Sequence, residues 1–142
     1  YLNFVMGDLE VQSQNPDALA VLLDKNGNLA EGKGSNIFVI KNQKLITPKE
    51  KYVLPGVSRE VTMNLATELG YEIEEDDIDL FDAYNADELF ITSTSFCICP
   101  VQSINGRLPS ADGVPGPITR KLINAYVDLV GFDWYGQYLS KI

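Results

Sequence analysis

The sequence predicts a mixed α/β domain, because short strand-like runs separated by tight turns alternate with stretches of helical periodicity. Leu2, Val5, Met6 and Leu9 recur at helix-like spacing, so Tyr1 to about Val11 reads as the end of a helix entered from upstream. Ala18 to Asp24 is an apolar run that breaks at Lys25-Asn26-Gly27-Asn28, whose Asn-Gly pair suits a hairpin turn, and the strand resumes at Leu29. Glu31-Gly32-Lys33-Gly34-Ser35 interrupts it. Asn36 to Ile40 is the next strand, paired through a turn at Asn42 with Leu45-Ile46.

After Pro55-Gly56, the residues Val57, Val61, Leu65, Ala66 and Leu69 predict a helix that Gly70 ends. Tyr71 to Glu75 alternates like a strand, Asp77 to Tyr84 suits a short helix, and Glu88 to Thr94 reads as a strand ending in hydroxyls. Pro100 to Ile104 is expected to form a short strand pair about Asn105-Gly106. A second helix is expected from about Ile118 to Val130, and the aromatic tail at Phe132, Trp134, Tyr135 and Tyr138 to pack on the body.

Composition narrows the chemistry. With 142 residues, 45% hydrophobic and 22% charged, the chain has the proportions of one globular domain. Its 20 acidic against 11 basic residues, a net charge of -9, argue against nucleic-acid and anionic-membrane partners. No apolar run reaches the length of a membrane span. The start at Tyr rather than Met, straight into a patterned segment, reads as a fragment. Cys97 and Cys99, the only cysteines, are expected to share one face of a strand rather than form a metal or redox pair, which suits a reducing cytoplasm. The absence of histidine removes Ser-His-Asp and Cys-His nucleophile pairs and the commonest zinc ligand, so a bound cofactor is the natural source of chemistry and no metal site is expected.

Three segments carry candidate function, each with a plainer alternative. Glu31 lies between strands beside glycines; it is either a solvated hairpin carboxylate or an acid that keeps a heteroaromatic nitrogen protonated. Leu54-Pro55-Gly56-Val57-Ser58-Arg59 puts a turn directly before the clearest helix, where free N–H groups and the helix dipole favour a phosphate, unless Ser58 simply caps its own helix. Thr92-Ser93-Thr94-Ser95 places consecutive hydroxyls at a strand end; they either satisfy a loop or complete a phosphate cradle next to Gly56. The acid run Glu74-Glu75-Asp76-Asp77 reads as a solvated edge.

In this order, with Asn36-Ile37-Phe38, Ala86-Asp87-Glu88-Leu89-Phe90, Pro100-Val101 and Gly116-Pro117-Ile118-Thr119, the segments resemble the class IV (fold-type IV) pyridoxal-phosphate aminotransferases. That family includes branched-chain, D-amino-acid and (R)-amine transaminases and aminodeoxychorismate lyase. The resemblance implies a strongly twisted pseudo-barrel with surrounding helices, residues 1–142 forming the C-terminal, cofactor-binding domain of a homodimeric enzyme. It implies pyridoxal phosphate as cofactor, an amino donor and a keto-acid acceptor as substrates, and a Schiff-base lysine and small N-terminal domain upstream of Tyr1, with no catalytic lysine in this chain.

By the same resemblance Tyr1 meets the ring hydroxyl, Glu31 pairs with the pyridine nitrogen and Leu54 packs on the ring. Gly56, Val57, Ser58, Ser93 and Thr94 hold the phosphate. Gly34 and Ser95 match positions that approach the substrate carboxylate. Phe96 stands where a small residue is usual and Cys97 where an acidic one is frequent, so the substrate stays open between branched-chain amino acids, D-amino acids and amines. Two alternatives stand beside transamination: β-elimination of the lyase type, and a non-catalytic module that binds a phosphate ligand.

Overall fold

The computed structural model describes residues 1–141. In chain order the elements are α1 (Leu2–Gln12), β1 (Val21–Leu23), β2 (Leu29–Gly32), β3 (Ser35–Lys41), β4 (Lys44–Pro48), α2 (Val57–Glu68), β5 (Ile73–Asp76), α3 (Leu80–Tyr84), β6 (Glu88–Ser93), β7 (Cys97–Pro100), α4 (Pro117–Val130) and α5 (Trp134–Leu139). This is the mixed α/β order expected. The Asn26-Gly27 turn does join β1 to β2, with Asp24 Oδ1 accepting from Asn26 N at 2.8 Å and from Asn28 N at 2.9 Å.

β3 is the hub of the sheet. Its first residues pair with β2 (Glu31↔Asn36), its last with β4 (Ile40↔Leu45), and its other edge runs antiparallel to β6 from Asn36↔Thr92 to Ile40↔Glu88. β5 adds to β4 in parallel, and β7 to β6. The alternation of β3 sends Phe38 and Ile40 to one face and Ile37 and Val39 to the other. The first face meets Leu65 and Ala66 of α2, Ile118, Leu122 and Ile123 of α4, and Trp134 of α5. The second meets Leu29, Ile78, Ala83, Leu89 and Ile91. Phe38 and Phe90, directly opposite in register and fully buried, stack with ring centroids 4.8 Å apart, an arrangement that adds about 1 kcal/mol beyond area burial.

Three expectations are corrected. No strand covers Pro100 to Ile104; the strand is β7, Cys97–Pro100, and around Asn105-Gly106 only the single bridge Ile104↔Arg107 forms. The chain reverses earlier because Thr94, Ser95 and Phe96 make a turn that Cys97 closes with φ +54, in the left-handed region. The same turn breaks the alternation, so Cys97 packs against the helix-side cluster and Cys99 against the other; they do not share a face. Burial pushes both thiols up in pKa, away from reactive thiolates. In the tail, Trp134 is buried and Tyr135 packs on the core as expected, whereas Phe132 and Tyr138 are exposed.

The acid run lies at the β5 edge, where Lys44 bridges Glu72 and Glu74 and Lys49 bridges Asp76 and Asp77. Asp87 ties the β3–β4 turn to a later loop, its carboxylate accepting from Asn42 N at 2.7 Å, Ser110 Oγ at 2.8 Å and Lys41 Nζ at 3.2 Å. Burial pushes this carboxyl up, but those donors outweigh it and hold it below the ordinary range. A depressed folded-state value means stability that is complete above the unfolded carboxyl's pKa and lost as pH falls through the folded one. Asp87→Asn is therefore expected to flatten the fall of the urea midpoint below about pH 4; an acid limb identical to wild type would refute this.

Candidate active site

Register alone brings the first candidate residues together. Glu31, Asn36 and Thr92 lie side by side across β2, β3 and β6 on the helix-side face, because Glu31↔Asn36 and Asn36↔Thr92 are direct partners. The row sits where the apolar face ends and α2 begins. Glu31 is half-buried rather than solvated, and its Oε2 accepts from Leu54 N at 2.8 Å, across 23 residues of sequence. Asn36 Nδ2 donates to Leu54 O at 3.0 Å and lies 3.5 Å from Glu31 Oε2.

The amino end of α2 is held against this row from both sides. Gly56 is the N-cap, and it makes no side-chain cap hydrogen bond. Ser58 lies inside the helix, buried, so it is not the cap; its Oγ is 3.5 Å from the Tyr126 hydroxyl of α4, and the Tyr126 side chain also contacts Cys97. Arg59, fully covered, anchors the first turn to Glu50 at 3.2 Å, to Glu75 at 2.7 Å and to Pro48 O at 3.2 Å. Leu54 and Val57 project outward, 70% and 67% exposed, giving the mouth an apolar rim.

The hydroxyl run divides. Thr92 is buried, and among the described residues its Oγ1 has no hydrogen-bond partner. Ser93 accepts from Ser95 N at 3.2 Å, the loop-satisfying use of a hydroxyl. Thr94 and Ser95 are exposed on the turn, and Ser95 O accepts from the Tyr138 hydroxyl at 2.6 Å. Gly34 is exposed at the tip of the β2–β3 turn with φ +71. Tyr1, 84% exposed, has Lys33 Nζ 5.8 Å from its ring centroid, and Lys33 also pairs with Asp8 at 3.7 Å. Phe96 packs against the second cluster, on the face away from the Glu31 row.

One acid, one amide, an uncapped helix end and hydroxyls thus share one end of the helix-side face. Such a set can hold a ligand with a basic ring atom at one end and an anion at the other. Asn36 is the residue that reading by motif passes over: as the first residue of an apolar strand it looks like a boundary, and its role rests on partners far away in sequence. Among the described residues no group of three or more His, Cys, Asp or Glu side chains could hold a metal ion, and no helix is long and apolar enough to cross a membrane.

The sequence and the fold have known counterparts. Residues 1–104 match the family model for amino-transferase class IV, and the chain belongs to that family. More particularly, it is 39% identical over 130 residues to a branched-chain-amino-acid aminotransferase of Pseudomonas aeruginosa, covering 92% of this chain and 42% of that protein. Two solved structures superpose well. The branched-chain amino acid aminotransferase of Thermobaculum terrenum in its PLP form gives a TM-score of 0.82 at 36% identity, covering 91% of this chain and 43% of that one. The Escherichia coli branched-chain amino acid aminotransferase gives 0.85 at 34% identity, covering 91% of this chain and 42% of that one. The chain therefore spans less than half the length of these relatives.

Proposed function

We propose that this chain is the cofactor-holding domain of a pyridoxal-phosphate-dependent aminotransferase that passes an amino group from a branched-chain-like amino acid to a keto acid. The observation that carries the reading is the Glu31–Asn36–Thr92 row meeting the uncapped amino end of α2. The residues fit the cofactor. Glu31 offers an acid to the ring nitrogen, exposed Leu54 offers an apolar surface to the ring, and Tyr1 a phenol to its hydroxyl. Gly56, Val57 and Ser58 at the helix end, with Ser93 and Thr94, suit the phosphoryl group.

Bound pyridoxal phosphate supplies an electron-withdrawing ring that weakens the bonds at an amino acid's α-carbon. The chain's own part is to orient and to polarise. Glu31 would hold a proton at the ring nitrogen while Leu54 N fixes one of its carboxylate oxygens. Gly34 and Ser95, both on exposed turns, receive the substrate carboxylate, and Phe96 shapes the turn that carries Ser95. The catalytic lysine and the smaller domain belong to a part of the protein upstream of Tyr1, in keeping with the share of its relatives' length that this chain covers. The complete protein acts as a homodimer in the cytoplasm.

The test uses the full-length protein with pyridoxal phosphate. Amino transfer from leucine to α-ketoglutarate is the expected outcome; pyruvate release from aminodeoxychorismate without amino transfer would replace the reading with the lyase one, and neither activity would reject both. The contact between Asn36 and the amino end of α2 makes a second prediction. A Cβ on Gly56 would fall 2.2 Å from Asn36 Oδ1, although its φ of -67 and ψ of 139 suit any residue. Gly56→Ala must therefore push the amide and the helix end apart, and a ligand that engages both then meets a site no longer preorganised for it, so pyridoxal-phosphate affinity is expected to fall at least about tenfold. Titration of the apo-protein by absorbance reads it, and an unchanged affinity contradicts it.

A further inference from the structure

Asn36 lies 6% exposed in the same row of β3 that carries Phe38 and Ile40 into the apolar core. A primary amide in such a place costs stability unless its donors and acceptor are engaged. Its neighbours are all parts of the candidate site. Nδ2 donates to Leu54 O at 3.0 Å and faces Glu31 Oε2 at 3.5 Å, while Oδ1 points at Gly56 so closely that a methyl group there would overlap it. Leu54 N donating to Glu31 Oε2 at 2.8 Å closes the triangle. One planar group thus faces the acid, hydrogen-bonds the loop before α2 at Leu54 O and fills the space beside Gly56.

We infer that Asn36 is the positioning residue of this site, its amide fixing the separation between the Glu31 carboxylate and the amino end of α2, and so the length of ligand that can engage both. This rests on the proposed reading of those two groups as the ends of one ligand site. Thr92, the other polar residue of the row, reaches neither end, its Oγ1 being unpartnered among the described residues, and the Leu54 N bond to Glu31 lies at an exposed edge, whereas the Asn36 amide is buried. A ligand that touches both ends gains affinity only if they stand at its own length, whereas a ligand that touches one end is indifferent to their spacing.

That difference supplies the test, which does not depend on turnover. Full-length apo-protein is titrated calorimetrically with deoxypyridoxine phosphate, which has ring and phosphate but no aldehyde, and with inorganic phosphate, which can use only the helix end. Asn36→Ala is expected to weaken deoxypyridoxine phosphate by about tenfold or more and inorganic phosphate by less than about twofold. Asn36→Ser, whose hydroxyl suits a buried strand but cannot reach both partners, is expected to give the same split and stands in if the Ala variant loses its fold. Unchanged binding of deoxypyridoxine phosphate, or equal losses for the two probes, would overturn the inference. Failure of the wild-type protein to bind deoxypyridoxine phosphate would instead overturn the aminotransferase reading beneath it.

Discussion

Glu31→Ala in the full-length protein is expected to lower amino-transfer turnover by several orders of magnitude while moving unfolding stability by less than about 1 kcal/mol. The asymmetry follows from what the carboxylate touches. Glu31 is half-buried at the end of the helix-side face, and its bond with Leu54 N lies at an exposed edge, where water can replace it. None of the buried cluster depends on it. On the proposed reading, what goes is a negative charge opposite the cofactor's ring nitrogen, and with it the proton that keeps the ring electron-poor. Glu31→Gln separates charge from shape: its amide oxygen can still accept from Leu54 N and its size is unchanged, yet turnover is expected to fall nearly as far as in the Ala variant. Steady-state kinetics with leucine and α-ketoglutarate, alongside urea midpoints, distinguish these outcomes. A Gln variant close to wild-type turnover would remove Glu31 from the ring nitrogen altogether.

Much of this was legible along the chain wherever the signal is local. The Asn26-Gly27 hairpin, the helix opened by Pro55-Gly56 and the helix opened by Gly116-Pro117 are all written in neighbouring residues, and each forms where expected. The turn at Thr94 to Cys97 was not legible, since a positive φ falls on Cys97 with no glycine to announce it. The site was legible as motifs but not as contacts. Glu31 and Leu54 are 23 residues apart and meet only because β3 pairs with β2 while α2 packs on the same face. Ser58 reads as a helix cap by composition, yet it turns inward to the Tyr126 hydroxyl, 68 residues later. Glu88, on a strand with an outwardly ordinary acid, gave no hint of burial, because its partner is a helix that starts 29 positions further on.

That acid carries the largest expected effect on stability. Glu88 is 4% exposed, and its two oxygens accept from Ile118 N at 2.9 Å and Thr119 N at 2.8 Å, so a β6 side chain satisfies the first turn of α4. Gly116, the N-cap, cannot do this itself, and it must be glycine because a Cβ there would lie 2.4 Å from Glu88 Cδ. Charge and helix dipole reinforce each other in a place that water does not reach. Glu88→Ala leaves two buried donors unpaired and is expected to cost about 3 kcal/mol or more; Glu88→Gln keeps one acceptor, sets an amide N–H against the other donor, and should fall between. Gly116→Ala should destabilise by displacing the same carboxylate, and its penalty should shrink in the Glu88→Ala background, where the atoms it strikes are gone. Urea denaturation of the four apo-proteins measures the coupling. Strictly additive losses would mean that Glu88 does not cap α4 through the space Gly116 leaves open, and a loss below about 1 kcal/mol for Glu88→Ala would reduce it to an ordinary surface acid.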